Sequence, residues 1–324
     1  MEFCRTVARR VGFGLLLLLA VLILNFTLIT AAPGDIADTL AGVMGGADQQ
    51  VLDEIRTRYG LDQPFHLQLW RYLSAVAVFD LGYSYYFNVP VTTLILEKLP
   101  ATLLLVFSAQ ITAIITGTLL GVLAAKKPGG AVSLTVTFLS LFGFAAPVFW
   151  TGILLIILLV SVFPVFPVGG MMDVTVEGNL LVKSLDLLYH LFLPMITLAS
   201  VFLALYSRHA RAAMLEVLGA DYIRTARAKG VPERRVLYRH ALKNALGPVV
   251  TVAGLQFSAV ISGAVVVETV FSWPGLGTLA LQSILARDTP TIMGILFFSS
   301  FVVILFNILT DLTLRALDPR IKSG

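Results

Sequence analysis

The chain has 324 residues, of which 57% are hydrophobic and only 13% are charged, and its formal net charge is +4. A soluble domain of this length needs roughly a quarter of its residues charged to cover its surface, so the composition argues against a soluble protein. The single cysteine, Cys4, excludes an internal disulfide, a cysteine-based zinc cluster and an iron–sulfur site.

Uncharged runs predict where the chain crosses a membrane. Each is long enough for a helix of about 20 residues to span the hydrocarbon layer. In the first run, 24 apolar residues are too many for the core of a signal peptide, which favours an uncleaved span. The third run closes with FPVFPVGGMM, where the prolines and glycines indicate chain leaving the membrane. The six runs are residues 11–34, 99–125, 128–172, 187–207, 244–267 and 289–310.

The distribution of charge predicts the orientation of these spans. With six crossings, one side receives both termini, Lys126 and Lys127, and the loop 208–243, which together hold 17 of the 23 Lys and Arg residues. The opposite side receives residues 32–98, 173–186 and 271–288, in which acidic residues prevail. Because basic residues mark cytoplasmic loops, we expect both termini to be cytoplasmic. Seven spans would place the basic loop outside and are rejected.

The outer segment 32–98 is the first irregular part of the chain. Within it, Leu67, Leu69, Trp70 and Leu73 recur at helical spacing and predict a short helix. This helix either packs on the spans at the outer surface or forms a gate or docking face for an external partner. The sequence division is therefore 1–98, the first span with the outer segment, and 99–324, a five-helix core with a cytoplasmic loop at 208–246.

Small residues and prolines punctuate the following spans. Gly117 and Gly121 in GTLLG are four residues apart, which predicts close approach of another helix. Pro147 and Pro194 lie inside apolar runs and are expected to kink their helices.

The basic loop contains a short helix over Tyr222–Lys229, in the sequence DYIRTARAKGVP. Asp221 is expected to be its N-cap, Gly230 to follow its end with a positive φ, and Pro232 to block continuation. A two-turn helix is marginal in water and needs a surface to rest on. Two small residues allow close approach, and three basic residues can reach acidic partners; these are Ala226, Ala228, Arg224, Arg227 and Lys229.

A second helix follows, with Pro232 and Glu233 in its first turn. Its predicted apolar stripe is Val236, Leu237, Ala241 and Ala245, and Gly247-Pro248 is expected to end it. The two-helix unit is open to three interpretations. It is a solvated loop that fixes topology and attracts anionic lipid, a DNA-binding helix-turn-helix, or a docking element for a cytoplasmic protein. The defined turn between membrane spans favours docking.

The loop DYIRTARAKGVPERRVLYRHALKNALGP resembles the cytoplasmic signature loop of binding-protein-dependent ABC importer permeases, in the dipeptide, oligopeptide and nickel branch. In the general pattern, Glu-Ala-Ala is followed by Gly; here these places hold Arg224, Thr225, Ala226 and Gly230, and the Glu is absent, as expected in the peptide branch. Further segments resemble this branch in the same order: GLDQPFHLQLWRYL, FDLGYSYYFNVPV, LPATLLL, ETVFSWPGLGTLALQSILARDTP and LDPRIK.

This resemblance implies an all-α membrane protein with six transmembrane helices and the type I ABC importer permease fold. It implies a bacterial inner-membrane complex of this chain, a second related permease, two ATP-hydrolysing subunits and an extracytoplasmic solute-binding protein. ATP and Mg²⁺ would be used by the partner subunits, with no cofactor bound here. The ATPase-coupling residues would be Asp221, Tyr222, Arg224, Thr225, Ala226, Arg227, Ala228, Lys229 and Gly230.

No catalytic motif is present. The chain has no GxxxxGK[ST] phosphate loop, no HExxH and no GxSxG, and its four histidines are scattered. A secondary transporter is the main rival, but ionisable residues are absent from the centres of the uncharged runs. Glu268 is either a snorkelling or capping residue or, with Trp273 and Pro274, part of an outer gate. The resemblance implies a dipeptide or oligopeptide as the cargo, with nickel chelates, heme and glutathione as alternatives.

Overall fold

The chain is mostly helical. Its structure, a computed structural model, describes residues 2–31, 50, 53, 56–57, 60, 62–84 and 86–317. A short hairpin pairs β1 (Tyr83–Ser84) with β2 (Val89–Pro90) in antiparallel fashion. The helices are α1 (Glu2–Ala31), α2 (Phe65–Ala77), α3 (Val91–Lys126), α4 (Ala131–Ala145), α5 (Val148–Ile156), α6 (Leu180–Leu218), α7 (Asp221–Ala228), α8 (Glu233–Arg235), α9 (Leu242–Val270), α10 (Leu276–Leu285) and α11 (Thr289–Leu317).

Four stretches are long and apolar enough to cross a membrane by length and composition: Val7–Ala31, Val91–Lys126, Leu180–Leu218 and Thr289–Thr310. Two bent pairs bring the number to six if each pair is one span. One pair is α4 with α5 and its π-helical continuation Ile157–Val162; the other runs from Glu233 to Val270.

Pro147 breaks the third predicted span rather than kinking it. The axes of Ala131–Ala145 and Val148–Val162 meet at 106°. Ala146 has an extended ψ of 131°, and Pro147 stands at the N-cap of α5. The residue before a proline is pushed out of the helical region, so α4 ends where the sequence expectation placed only a kink. Pro194, in contrast, lies inside α6, which continues through it.

The described residues form two compact units, Met1–Pro100 with Gly275–Ile308, and Ala101–Pro274 with Leu309–Gly324. The sequence division into 1–98 and 99–324 follows the predicted topology. Packing groups the chain differently, because residues 275–308 belong to the same unit as residues 1–100. The predicted tail motif LDPRIK, apart from Leu317, and the beginning of the outer segment lie outside the described residues.

The first unit has an apolar core built from α1, α2, α3, α10 and α11. A buried carboxylate closes one edge of this unit. Asp288 accepts hydrogen bonds from Ser84 Oγ at 2.5 Å and from Thr291 Oγ1 at 2.6 Å, which joins the β-hairpin to the start of α11. The buried core residues are Leu22, Val76, Leu81, Val91, Leu94, Ile95, Leu276, Leu279, Ile295 and Phe297.

The helix predicted in the outer segment exists as α2, but it uses a different face. Val76 is buried, and Tyr72 and Leu73 pack against the core of the first unit. Trp70 is 70% exposed and Leu67 is also exposed. The apolar spacing therefore predicted the helix correctly, while two of the four residues that suggested it face away from the core.

The second unit depends on the close approach of α3 and α6. A Cβ on Gly117 would lie 2.8 Å from the Leu203 carbonyl oxygen, and one on Gly121 would lie 2.6 Å from that of Ser207. These distances confirm the prediction that GTLLG is a helix-packing motif, because only glycine lets the two backbones come so near. The interior is also hydrogen bonded, since Gln110 Nε2 donates to Tyr206 Oη and to the Ala253 carbonyl.

Candidate functional site

The short helix α7 in the basic loop ends as the sequence predicts. Gly230 has a φ of +73°, which confirms the expected left-handed residue. Gly230 N–H donates to the Arg227 carbonyl at 2.9 Å, and Val231 N–H donates to the Ala226 carbonyl at 3.2 Å. These two bonds form a Schellman motif, which satisfies carbonyls that the helix end would otherwise leave open.

The beginning of α7 differs from the prediction. The helix spans Asp221–Ala228 rather than Tyr222–Lys229, its N-cap is Ala220, and no side chain caps it. The prediction that Asp221 is the N-cap is therefore wrong. Its side chain is 96% exposed and lies 3.4 Å from Arg224 NH1, one helical turn further on. Within the first turn the carboxylate still favours the positive end of the helix dipole.

A buried aliphatic side chain anchors α7 to the rest of the second unit. Ile223 is fully buried in an apolar cluster, which we call the loop cluster. This anchor was missed in the sequence, although Ile223 is the only large aliphatic residue in DYIRTARA. The loop cluster joins α7 to α3, α6 and the second helical segment of the loop, and consists of Val122, Ala125, Ala213, Met214, Ile223, Val236, Leu237, Ala241 and Ala245.

The apolar stripe of the second helix is confirmed, since Val236, Leu237, Ala241 and Ala245 are all buried in the loop cluster. The predicted end of that helix is wrong. A π-helical segment, Val236–Ala241, leads into α9, which runs through Gly247 and Pro248 to Val270. A proline within an apolar helix costs one backbone hydrogen bond but does not force an end, because the surrounding turns continue.

An ion pair braces the turn between the two helices. Arg227 donates to Glu233 from Nε at 3.2 Å and from NH2 at 2.7 Å, in a fork-like arrangement. These bonds lower the pKa of the Glu233 carboxyl and raise that of the Arg227 guanidinium. Asn244 Nδ2 donates to Tyr222 Oη at 2.7 Å, which adds a second link between α7 and α9.

The remaining face of α7 points to solvent. The coupling residues predicted from the sequence lie together on this one small element, and Ala226 alone among them is half-buried. The exposed residues are Asp221, Tyr222, Arg224, Thr225, Arg227, Ala228, Lys229 and Gly230. Backbone geometry and Ile223 therefore fix the helix, and its polar surface remains accessible to a partner.

The candidate outer-gate residues lie in the interior of the second unit. Glu268 is fully buried, so it does not snorkel to solvent, and it accepts a hydrogen bond from Thr102 Oγ1 at 2.6 Å. Trp273 is also fully buried, with Nε1 donating to the Ala101 carbonyl at 2.8 Å and its backbone N–H donating to the Glu268 carbonyl. Pro274 is half-buried. The Glu268 side chain and the Trp273 indole N–H therefore both bind α3 directly after Pro100, at Thr102 and Ala101. The sequence did not reveal this connection.

In the part of the chain that the structure describes, no three His, Cys, Asp or Glu side chains come together in a group that could hold a metal ion. His190, one of the scattered histidines, has its Nδ1 atom 2.9 Å from the Asp186 carbonyl and 3.2 Å from the Asp186 carboxylate. This is a local contact within one turn of α6.

Comparison with known proteins places these features in a family. The sequence model described as the binding-protein-dependent transport system inner membrane component matches residues 117–323. A second one, for the N-terminal part of the binding-protein-dependent transport system membrane component, matches residues 3–106. The chain belongs to this family.

Curated members of the family match this chain along almost their whole length. It is 39% identical over 318 residues to the oligopeptide transport system permease protein AppB of Bacillus subtilis, covering 98% of both chains. It is 38% identical to the probable D,D-dipeptide transport system permease protein DdpB and 37% identical to the dipeptide transport system permease protein DppB, both of Escherichia coli, with 98% of each chain covered. The resemblance seen in the sequence is confirmed.

A solved structure shows the shared fold. The family member resembles a chain of the MetNI methionine ABC transporter in an inward-facing conformation, with a TM-score of 0.52 and 17% identity over 69% of this chain and 96% of that one. The importer permease fold expected from the sequence is confirmed over that share of the chain.

Proposed function

We propose that the chain is a permease subunit of an ATP-driven ABC importer of dipeptides or oligopeptides, with ATP hydrolysis coupled through α7. The observation that carries this proposal is the construction of α7: a polar, exposed helix closed by Gly230 and anchored by Ile223 to α3 and α6. The peptide cargo rests on the names of the relatives that match almost end to end.

The proposed topology has six spans and cytoplasmic termini. It counts the four single candidate spans and the two bent pairs as six crossings. An even number leaves both termini on one side, and the positive-inside rule assigns that side to the cytoplasm because it holds most of the Lys and Arg residues. The host membrane would be the bacterial inner membrane. In this topology the chain divides into residues 1–98, the first span with the outer segment, and residues 99–324, the five-helix core.

Coupling would transmit movement through packed side chains. An ATPase subunit would bind the exposed residues of α7 in a cleft, and closure of the ATPase dimer would displace this helix. Ile223 contacts the same cluster as Ala213 and Met214 of α6 and Val122 and Ala125 of α3. Because packed elements move as rigid bodies, a displacement of α7 would reach these spans directly. The loop 208–246 would act as the lever.

The other assignments follow from this complex. The partners would be a second related permease, two ATP-binding cassette subunits, an extracytoplasmic solute-binding protein and membrane lipid, with no nucleic acid. ATP and Mg²⁺ would bind the ATPase subunits, and this chain would be a non-catalytic subunit without a cofactor. Glu268, Trp273 and Pro274 would support an outer gate by fixing the end of α9 to α3.

The cargo can be tested by purifying the tagged chain with its native neighbours. Mass spectrometry is expected to identify two P-loop ATPases and a second permease, and peptide-loaded binding protein is expected to stimulate ATP hydrolysis. Stimulation by a nickel chelate, heme or glutathione, but by no peptide, would change the assigned cargo and leave the assignment as an ABC importer permease in place. A chain that purifies alone and transports on an ion gradient would be a secondary transporter.

The docking of α7 can be tested by cross-linking. In a Cys4→Ser background, Thr225→Cys places one thiol on the exposed face of α7, and Lys183→Cys is the matched control on the opposite proposed side. A short bifunctional cross-linker is expected to join Thr225→Cys to an ATPase subunit. Equal cross-linking of both variants would contradict the docking site.

A further inference from the structure

A groove with apolar walls lies between α4 and α6 in the second unit. Its volume is about 290 Å³. The wall of α4 contributes Val136, Leu141 and Phe144, and the wall of α6 contributes Ala204 and Leu205. The coupling proposal uses none of these residues.

One end of the groove is basic. Arg208 and Arg211 line it, and they are three residues apart and therefore share a face of α6. The groove lining contains no Asp or Glu. Across the ranges that the structure describes, neither arginine has a carboxylate within ion-pair distance.

Two polar atoms in the groove lack a partner in the part of the chain that the structure describes. Ser140 Oγ and Arg211 Nε are both buried and form no hydrogen bond among the described residues. A buried donor without an acceptor is costly, and such groups normally bind water, an ion or a ligand. The groove thus offers hydrogen-bond donors and positive charge beside an apolar surface.

The direction of the helices orders these features along the groove. A Cβ on Gly143 of α4 would lie 3.2 Å from the Ser200 carbonyl oxygen of α6. The groove residues of α6 all follow Ser200, whereas four of the five on α4 precede Gly143. The two helices therefore run antiparallel, which puts Val136 towards the arginine end of the groove. From Val136 to Phe144 the helix rises about 12 Å. An apolar strip of that length leads away from the basic end.

We propose that this groove binds an anionic glycerophospholipid, with its phosphate at Arg208 and Arg211 and one acyl chain along the apolar walls. The assignment rests on the proposed topology, which puts this end of α6 at the cytoplasmic face, where anionic lipids attract basic residues. Arginine suits the site because its planar fork can donate two hydrogen bonds to one phosphate.

The bound lipid would bear on coupling. Arg208 and Arg211 lie on α6 shortly before Ala213 and Met214, which belong to the loop cluster that anchors α7. A lipid that bridges α4 and α6 would hold this end of α6 in place. The lipid composition of the membrane would therefore affect the position of α6, the helix through which α7 transmits its movement.

Lipid retention by the purified importer complex tests the proposal. The complex in detergent is mixed with dioleoyl phosphatidylglycerol or dioleoyl phosphatidylcholine, and bound lipid is measured by native mass spectrometry. The wild type is expected to retain phosphatidylglycerol preferentially. Arg208→Gln with Arg211→Gln is expected to weaken that retention roughly 30-fold, from the usual contribution of two basic residues.

Two further variants separate a built site from general surface charge. Arg239→Gln with Lys243→Gln removes the same charge from exposed positions of the loop that do not line the groove. Because a lipid held in the groove does not contact these side chains, retention is expected to stay close to that of the wild type. Ser140→Leu fills the groove while keeping both arginines and is expected to reduce retention. Arg208→Lys with Arg211→Lys keeps the charge and should restore part of the binding.

Three results would each overturn the proposal: equal retention of the two lipids, wild-type retention by the double glutamine variant, or a loss as large in the Arg239 and Lys243 control. Peptide-stimulated ATP hydrolysis is measured in the same preparation. Normal stimulation without lipid selectivity would refute the lipid site and leave the proposed transport function intact. Lipid selectivity without peptide-stimulated ATP hydrolysis would refute the proposed transport function and leave the lipid site intact.

Discussion

Gly230 is the residue where backbone conformation decides whether α7 can end correctly. Its φ is +73°, and no atom beyond its two chain neighbours lies within 4 Å of the position a Cβ would take. Space is therefore available for a side chain, and the obstacle is the left-handed conformation, which costs an ordinary residue about 1–2 kcal/mol and a β-branched one more.

Gly230→Val is expected to open the Schellman turn and uncouple ATP hydrolysis from the binding protein while the complex still assembles. Gly230→Asn is the matched control, because asparagine tolerates the left-handed region. The measurement is ATPase stimulation by loaded binding protein in purified complexes. Full stimulation in the valine variant would show that the geometry of this turn is not needed for coupling.

The pair of Arg227 and Glu233 predicts a pH-dependent contribution to stability. Because the pair lowers the pKa of Glu233 below its ordinary value of 4.5, its contribution is complete above that value and is lost as the pH falls through the lower folded pKa. Both side chains are well exposed, so screening limits the contribution to about 0.5 kcal/mol.

Glu233→Gln is expected to lower the thermal stability of the complex slightly at pH 7, with the difference from wild type vanishing as the pH falls well below 4.5. Thermal unfolding of both proteins across that range measures it. A difference that grows on acidification would mean that the pair does not behave as a carboxylate with a lowered pKa.

A residue's role can be predicted from the sequence where its chemistry leaves one choice. A glycine between a helix and a proline has few uses other than a left-handed C-terminal turn, so Gly230 could be predicted. Asp221 had two equally good uses, as an N-cap or as an acidic first residue of the helix. In the structure Asp221 is the first residue of the helix, and nothing in the local sequence distinguishes this role from that of the N-cap.

At the scale of elements, the contact of α3 with α6 depends on backbones that nearly touch. Gly121→Ala would place a Cβ 2.6 Å from the Ser207 carbonyl and 2.7 Å from the Ala210 Cβ. The helices must separate, and overpacking of this kind costs about 1–3 kcal/mol.

Gly121→Ala is therefore expected to lower the unfolding temperature of the purified complex. Gly247→Ala makes the same chemical change in α9, where a Cβ would meet nothing within 4 Å, and is expected to be neutral or stabilising by up to about 1 kcal/mol. Equal effects of the two changes would show that helix propensity, and not close packing, governs both positions.

The buried bond between Thr102 and Glu268 joins α3 to α9. Thr102→Val removes the hydroxyl that donates to the carboxylate at 2.6 Å while keeping the side-chain shape. We expect a loss of about 1–3 kcal/mol, because a hydrogen bond to a buried carboxyl group is lost while that group stays buried. Thr102→Ser keeps the hydroxyl and should stay near wild type. A higher unfolding temperature for Thr102→Val than for Thr102→Ser would contradict this role.

Elements were easier to predict from the sequence than their boundaries. Uncharged runs located the long apolar helices that are candidate spans, because the hydrocarbon layer excludes charge over about 20 residues. Pro147 and Pro248 could not be distinguished by the same reasoning, since each is a proline in an apolar run. The first starts a new helix after a 106° bend and the second lies within α9, a difference that depends on what packs around each turn.

At the scale of the whole molecule, family membership was predictable and packing was not. Several short motifs in a fixed order identified the family, which the comparisons confirm. The grouping of residues 275–308 with the first hundred, and the burial of Ile223, Glu268 and Trp273, depend on contacts between segments far apart in the sequence. A single sequence contains no direct signal for such contacts.

The most direct test of the proposed function is peptide uptake by proteoliposomes that contain the assembled importer, with no ion gradient across the membrane. We expect uptake that requires both ATP at the cytoplasmic side and the loaded binding protein, and that is lost in the Gly230→Val complex. Uptake without ATP, driven by a proton or sodium gradient, would contradict both the ATP-driven mechanism and the role of α7.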